Sequence, residues 1–232
     1  MSLIRALIAP LLLVCLAAGL QAWEGRAEIG AGPSELFSGG LAGHYEALKK
    51  SPGYQSSAVD SVAVYFGLEA DFENHLLLAG GVNFGPTFDL RLIPGAGASY
   101  SETFNLSNAY IMPGLRWAPW AGDFSLVLGI PLGYAYLSGS SNYSDGSGSS
   151  LAGVGGSAFS AGVTLRAEYA LISWISLGSD AGYTSSGAIS PSYILSSGST
   201  LYQPGGTAID PSGFRTRIYF SLHPTLPRGR RP

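Results

Sequence analysis

Apolar residues fall on alternate positions along most of this chain. After His75, Leu76, Leu78, Val82, Phe84 and Phe88 share one parity, and Leu77, Ala79, Gly81, Asn83, Gly85, Thr87 and Asp89 share the other. Phe124, Leu126, Leu128, Ile130, Leu132, Tyr134 and Tyr136 repeat the pattern against Ser125, Gly129, Gly133 and Ala135. A period of two marks a β-strand, whose successive side chains point to opposite faces. The same alternation predicts strands over Val62–Phe72, Phe159–Leu171, Ile175–Tyr183 and Phe214–Leu222, with a weaker one near Arg26–Phe37. Thr103–Trp117 changes phase: Phe104 and Leu106 have one parity, while Ala109, Ile111, Leu115 and Trp117 have the other. A bulge near Asn108 would reconcile the halves, since one extra residue exchanges the faces of a strand.

The chain thus reads as eight strands, and their connections alternate in length. Ser38–Gln55, Leu90–Glu102, Ser138–Gly156 and Ser186–Ser212 are long; Glu73-Asn74, Ala118–Gly122 and Ile172-Ser173 are short. An all-β, eight-stranded antiparallel up-and-down barrel produces this alternation, with long loops at one rim and short turns at the other.

Composition decides which face is inside. The chain is 46% hydrophobic but only 12% charged, about half the charge of an ordinary soluble domain. After the N-terminus, no apolar run is long enough for a spanning helix. A soluble ligand barrel of lipocalin type shows the same period with apolar residues inside. Against it, the polar faces here are mostly Gly, Ala and Ser, and bulky aliphatics from every strand would overfill a narrow interior. The opposite arrangement, apolar toward lipid, fits a transmembrane barrel, which satisfies every backbone hydrogen bond without water. Trp117, Trp120 and Trp174 fall at the short-turn ends, and Tyr134, Tyr136 and Tyr183 toward the long loops. Amphipathic rings favour such positions at the two membrane interfaces.

The N-terminus has the build of a secretory signal: Met1–Arg5 carries positive charge, Ala6–Leu20 is apolar and a small residue, Ala22, ends it. The expected division is a signal peptide over 1–22, a barrel over 23–223 and a basic, Pro-rich tail over 224–232 carrying Arg228, Arg230 and Arg231. The single cysteine, Cys15, lies within the signal, so the mature chain has no thiol for disulfides or thiolate chemistry. From Arg26 to about His223 the chain resembles the eight-stranded bacterial outer-membrane barrels of the OmpA-like transmembrane type. The resemblance rests on strand count, loop alternation, signal segment and girdles. It implies an outer-membrane monomer with both termini in the periplasm, surrounded by lipid and lipopolysaccharide, with its long loops facing an extracellular ligand. Two departures stand out. Pro224–Pro232 follows the last strand, where the family ends on an aromatic residue, and a periplasmic cell-wall-binding activity is not expected.

The inward faces carry charge. Glu28, Glu69, Arg116, Glu168 and His223 lie near the short turns, with Arg166, Asp180, Arg215 and Arg217 farther up. Charges in so narrow a space must pair. They form either a plug of ion pairs, which the width of an eight-stranded interior favours, or a gated polar path. The net charge of −3 and the lack of a basic stripe exclude a nucleic-acid binder. His44, in the first long loop, has Ser99, Ser101 and Asp89 as conceivable partners, but no spacing makes them a catalytic signature. No enzyme activity, cofactor or metal site is expected. Gly30-x-Gly32 precedes no helix and reads as small inward residues, not a phosphate loop. Ser138–Gly156, rich in Ser, Gly, Asn and Tyr, reads as a flexible loop or an adaptable contact surface. The expected role is structural or one of surface recognition. The alternatives are a narrow pore for small solutes and, below it, a lipid-A-modifying enzyme or the soluble ligand barrel.

Overall fold

The computed structural model describes residues 24–33, 49–50, 53–59, 62–72, 75–95, 97–118, 123–203 and 208–223. The expected signal peptide with Cys15, His44, Trp120 and the tail 224–232 lie outside these residues. Its strands are β1 (Glu24–Pro33), β2 (Tyr54–Val59), β3 (Val62–Asp71), β4 (Leu76–Leu92), β5 (Ser99–Trp117), β6 (Phe124–Gly129), β7 (Leu132–Asp145), β8 (Gly148–Ile172), β9 (Ile175–Ser186), β10 (Ser192–Ser197) and β11 (Gly213–Leu222). All pairings are antiparallel. The ring runs β1, β3, β4, β5, β6 with β7, β8, β9 and β11, and closes where β11 pairs with β1 from Ala27↔Leu222 to Ala31↔Ile218. β6 and β7 are halves of one barrel strand. Pro131 has no N–H to give the ladder, yet its carbonyl still accepts from Gly162 at 2.9 Å. The ring is therefore eight-stranded.

Several strands are longer than a membrane requires. β8 has 25 residues, whereas about ten tilted residues cross the lipid-facing band. The outside of the ring shows where that band lies. Val64, Phe66, Ile111, Leu128, Val163, Leu165 and Ile218 stand 40–62% exposed. So much contiguous apolar surface is not stable in water. Trp117 and Trp174 mark its lower rim at the short turns; Tyr134, Tyr183, Phe159 and Phe214 mark the upper rim. There Tyr134 packs edge-on against Phe159 and Tyr183 against Phe214. Tyr136, half-buried, sits beside Tyr134.

Above the upper rim the pattern inverts. β5 runs without a bulge: it pairs with β7 in one unbroken register from Ser99↔Ser144 to Ile111↔Leu132. Phe104 and Leu106 point inward along with Tyr110 and Met112, all of one parity. The expected bulge near Asn108 is therefore corrected. Inside the band the outward residues face lipid and are apolar. Above it they face water and are polar, as at Ser101, Thr103 and Asn105, and the inward residues form a core. The solvent changes there, not the strand's phase. The extra residue lies on β4, between Phe84↔Ser107 and Thr87↔Asn105. It moves Phe88 inward and Asp89 outward, so Phe88 does not share a face with Phe84 as its parity suggested. Gly85 permits the close approach, since a Cβ there would lie 1.8 Å from the Leu106 carbonyl oxygen. Pro86 suits a bulge because it has no donor to lose.

The long connections change accordingly. Most of Leu90–Glu102 belongs to β4 and β5. Ser138–Gly156 is no loop but a β-hairpin turning on Gly146-Ser147, where Asp145 Oδ1 accepts from the Ser147 N–H at 2.8 Å and holds the turn. β2 and β10 add to this upper sheet, on β4 and β8 respectively. Its interior packs Phe88, Phe104, Leu106, Leu137 and Val154 with Ile189 and Ile209. The last two come from the β9–β11 connection, held across the mouth by a two-residue bridge with N···O distances of 2.7 and 2.8 Å.

Candidate functional site

The lower half of the lumen is filled by charge. Strand register brings the inward residues level: Arg26 opposes Glu69, and Arg166 opposes Asp180. Arg166, wholly buried, donates to Glu28 at 2.6 Å and to Glu69 at 2.7 Å. Arg116 meets Glu69, Asp71 (3.0 Å) and Glu168 (2.5 Å). Arg26 meets Asp71 at 2.8 Å and Glu168 at 3.0 Å. Tyr65 and Tyr219 donate to Glu28 (2.6 Å) and Glu168 (2.9 Å). Oxygens of Glu28, Glu69 and Glu168 lie within 4.8 Å of one another, close enough for a metal ion. Each already faces a guanidinium, so a cation entering would first have to displace an arginine. Those guanidiniums offset what would otherwise be a prohibitive cluster of buried like charges.

Higher up, Arg217 forks onto Asp180, with Nε at 2.8 Å, and lies 3.9 Å above the Tyr65 ring. It also donates to Asn83 at 3.0 Å. Arg215 is separate from these pairs: it donates to Thr164 at 3.2 Å and stacks on Tyr110 at 5.2 Å. His223 stays at the lower rim and shares a hydrogen bond with Ser176 at 2.8 Å. Glu28, Glu69, Arg116, Arg166, Glu168, Asp180 and Arg217 thus come together in the lumen, while Arg215 and His223 make no carboxylate contact among the described residues. Sequence reasoning passed over Arg26 and Asp71 as members, although each is two residues from a chosen acid and shares its parity. It also passed over the tyrosines that line the lumen between the charges.

Those tyrosines explain the inward glycines. A Cβ on Gly178 would lie 2.2 Å from the Tyr219 ring, and one on Gly67 would lie 1.8 Å from the Tyr65 hydroxyl oxygen. Tyr219 cannot swing aside: it is wholly buried, with Arg166 4.6 Å above its ring. Gly178→Ala should therefore cost about 1–3 kcal/mol, as overpacking of a filled core does. Urea unfolding of the variant in vesicles checks this, and an unchanged midpoint would show that the ring has room to move.

Above the lipid band, Tyr54, Tyr143 and Tyr202 pack on Leu90, Leu92 and Tyr100, with Tyr143 and Tyr202 stacked at 5.3 Å. Glu102 is buried beside them and accepts from Tyr100 at 3.0 Å and from Tyr193 at 3.1 Å. Tyr193 belongs to β10, so this carboxyl ties β10 to β5. Burial pushes the Glu102 carboxyl above its ordinary value of 4.5, against the two tyrosine hydroxyls, which lower it. The folded protein then holds this proton to higher pH than the unfolded chain. The contribution is greatest below the ordinary value and is lost as pH rises through the raised one. Amide exchange in β10 should speed up more from pH about 4 to about 7 in the wild type than in Glu102→Gln, after correction for intrinsic rates.

Neither the family models nor the curated proteins include a match to this sequence. Among solved structures, a major outer membrane protein from Thermus thermophilus superposes with a TM-score of 0.55 at 16% identity, over 88% of this chain and 100% of that one. CarO of Acinetobacter baumannii gives 0.42 at 11% identity over 75% of this chain and 97% of that one. Ail, the attachment invasion locus protein of Yersinia pestis, gives 0.38 at 12% identity, over 88% and 99%. With the closed ring and the apolar outer band, the Thermus superposition establishes the architecture: this chain has the fold of a bacterial outer-membrane β-barrel.

Proposed function

We propose that this chain is exported by its N-terminal segment to the bacterial outer membrane, where a closed barrel holds a rigid, sheet-built surface outside the cell for recognition. One observation carries the reading. The lumen is occupied at two levels, by the ion pairs around Arg166 and by the apolar cluster of Phe88, Phe104, Ile189 and Ile209, while the strands continue past the lipid band as a sheet with its own core, which supports a plugged barrel. A structure built for passage has no use for two plugs. One built for display uses the barrel as an anchor and the sheet as a platform. The polar outer face of that sheet, with Ser101, Thr103, Ser138, Ser140 and Asn142, is exposed and suited to hydrogen-bonded contacts.

Two measurements test this. Purified protein in a planar bilayer is expected to leave the membrane silent; discrete conductance steps would favour the narrow pore instead. On whole cells, a cysteine placed at Ser147, the tip of the β7–β8 hairpin, is expected to react with a membrane-impermeant maleimide. Labelling only after cell lysis would overturn the orientation.

A further inference from the structure

Between the two plugs lies a chamber of about 70 Å³ whose wall is largely apolar, with Ala63, Leu106 and Ala135, and carries polar groups on part of its surface. Asn83, Asn108, Ser160, Thr184, Arg215 and Arg217 line it. Its charge is not balanced locally. Arg217 has Asp180 as its partner, but Arg215 makes no ion pair among the described residues, and its buried Nε has no hydrogen-bond partner. Some of the other lining groups can donate. Asn83 accepts from Arg217 through its oxygen, which leaves its amide N–H groups directed away from that guanidinium. The Asn108 amide donates to Ser160, so the Ser160 hydroxyl proton can point elsewhere. Thr184 Oγ1 is buried without a partner. Asn108 Oδ1, also unpartnered, is an acceptor and suits a water.

We propose that this chamber binds a small monovalent anion, held by Arg215 and the hydroxyl and amide donors around it. A half-buried guanidinium with an unpartnered Nε and no carboxylate is unfavourable, and an anion supplies the missing charge. Size limits the ligand. A water-sized body needs about 10–15 Å³ of such space, so the chamber takes chloride, nitrate or formate with a few waters. It cannot take a sugar, a nucleotide or a lipid headgroup. The guanidinium fork suits a planar carboxylate best. Pro211 and Gly213 form part of the wall, which places the chamber directly under the segment leading from the Ile209 bridge into β11. The site depends on the lumen alone and goes beyond the display role.

The test uses the full mature barrel in detergent micelles. Chloride-35 NMR should show saturable line broadening by the wild type, reversed by formate added at constant ionic strength with sulfate as the balancing anion. Formate displacing chloride at equal concentration marks a carboxylate site; formate failing to displace it while nitrate succeeds marks an inorganic-ion site. Arg215→Met should weaken the binding by about tenfold or more. Crystals of the wild type grown in bromide should show an anomalous peak beside Arg215, which locates the site whether or not the variant folds. No saturable broadening by the wild type, broadening unchanged in Arg215→Met, or bromide peaks only on the outer surface would each overturn the proposal.

Discussion

Arg166→Met should destabilise the barrel by about 3–5 kcal/mol, the usual consequence of removing one member of a buried charge network. Arg166 is wholly buried and donates to both Glu28 and Glu69. Its Nε also lies 3.9 Å from Asp180. Methionine fills much of the same volume, so the loss is electrostatic and not a cavity. Among the described residues, Glu28 without the guanidinium keeps only the Tyr65 hydroxyl, while Glu69 still has Arg116. The residual charge therefore sits on Glu28. Adding Glu28→Gln to Arg166→Met should restore half or more of the loss, because the pair then loses a positive and a negative charge together. Arg166→Lys should fall between, since an ammonium keeps the charge but cannot fork onto two carboxylates. Urea unfolding in lipid vesicles, followed by the gel mobility shift of folded barrels, reads all three. Equal midpoints for wild type and Arg166→Met would mean that the ion pairs contribute nothing to stability.

The legible part of this protein is the part where one rule holds along a whole strand. Within the lipid band, parity alone places Glu69 with Tyr65 and Arg217 with Tyr219 on the inside, because each strand there has one apolar and one small or polar face. Arg26 and Asp71 obey the same rule, two residues from Glu28 and Glu69; parity marks them as inward but does not say how many guanidiniums the acids need. The rule fails above the band. Leu106 and Ile111 lie on one strand and are both apolar, yet one packs inside in an apolar core and the other faces lipid. A single-environment reading turns that into a phase shift and places a bulge at Asn108. The real bulge carried a local signal, Gly85-Pro86, a glycine beside a residue without an N–H. Ser138–Gly156 looked like a loop for a related reason. Its small residues lower the apolar contrast, but Asp145-Gly146-Ser147-Gly148 is turn chemistry between two alternating runs. Reading the turn first would have shown the hairpin.

The solvent inversion along β5 has a direct consequence for two outward positions of the same parity. Ile111 stands 49% exposed within the lipid band, and Thr103 is exposed eight residues farther up, outside the band. Ile111→Arg should cost about 2–4 kcal/mol, the penalty for a charge near the middle of a bilayer. Thr103→Arg should change stability by no more than about 0.5 kcal/mol, as an ordinary surface substitution does, less the small effect of losing its hydrogen bond to Asp89 at 2.6 Å. The two variants carry the same side chain on the same strand and face, so strand propensity cancels between them. Urea unfolding in vesicles measures the difference, and thinner-chain lipids should shrink it by moving the interface toward Ile111. In detergent-free aqueous buffer, neither variant should unfold from a soluble state, because the wild type needs lipid or micelles to cover Val64, Phe66, Val163 and Leu165. Equal costs at Ile111 and Thr103 would show that the outer surface has one solvent along its whole height. The upper sheet would then lie inside the membrane, and the inward packing of Phe104 and Leu106 would lose its explanation, because lipid on the outside provides no reason to bury them.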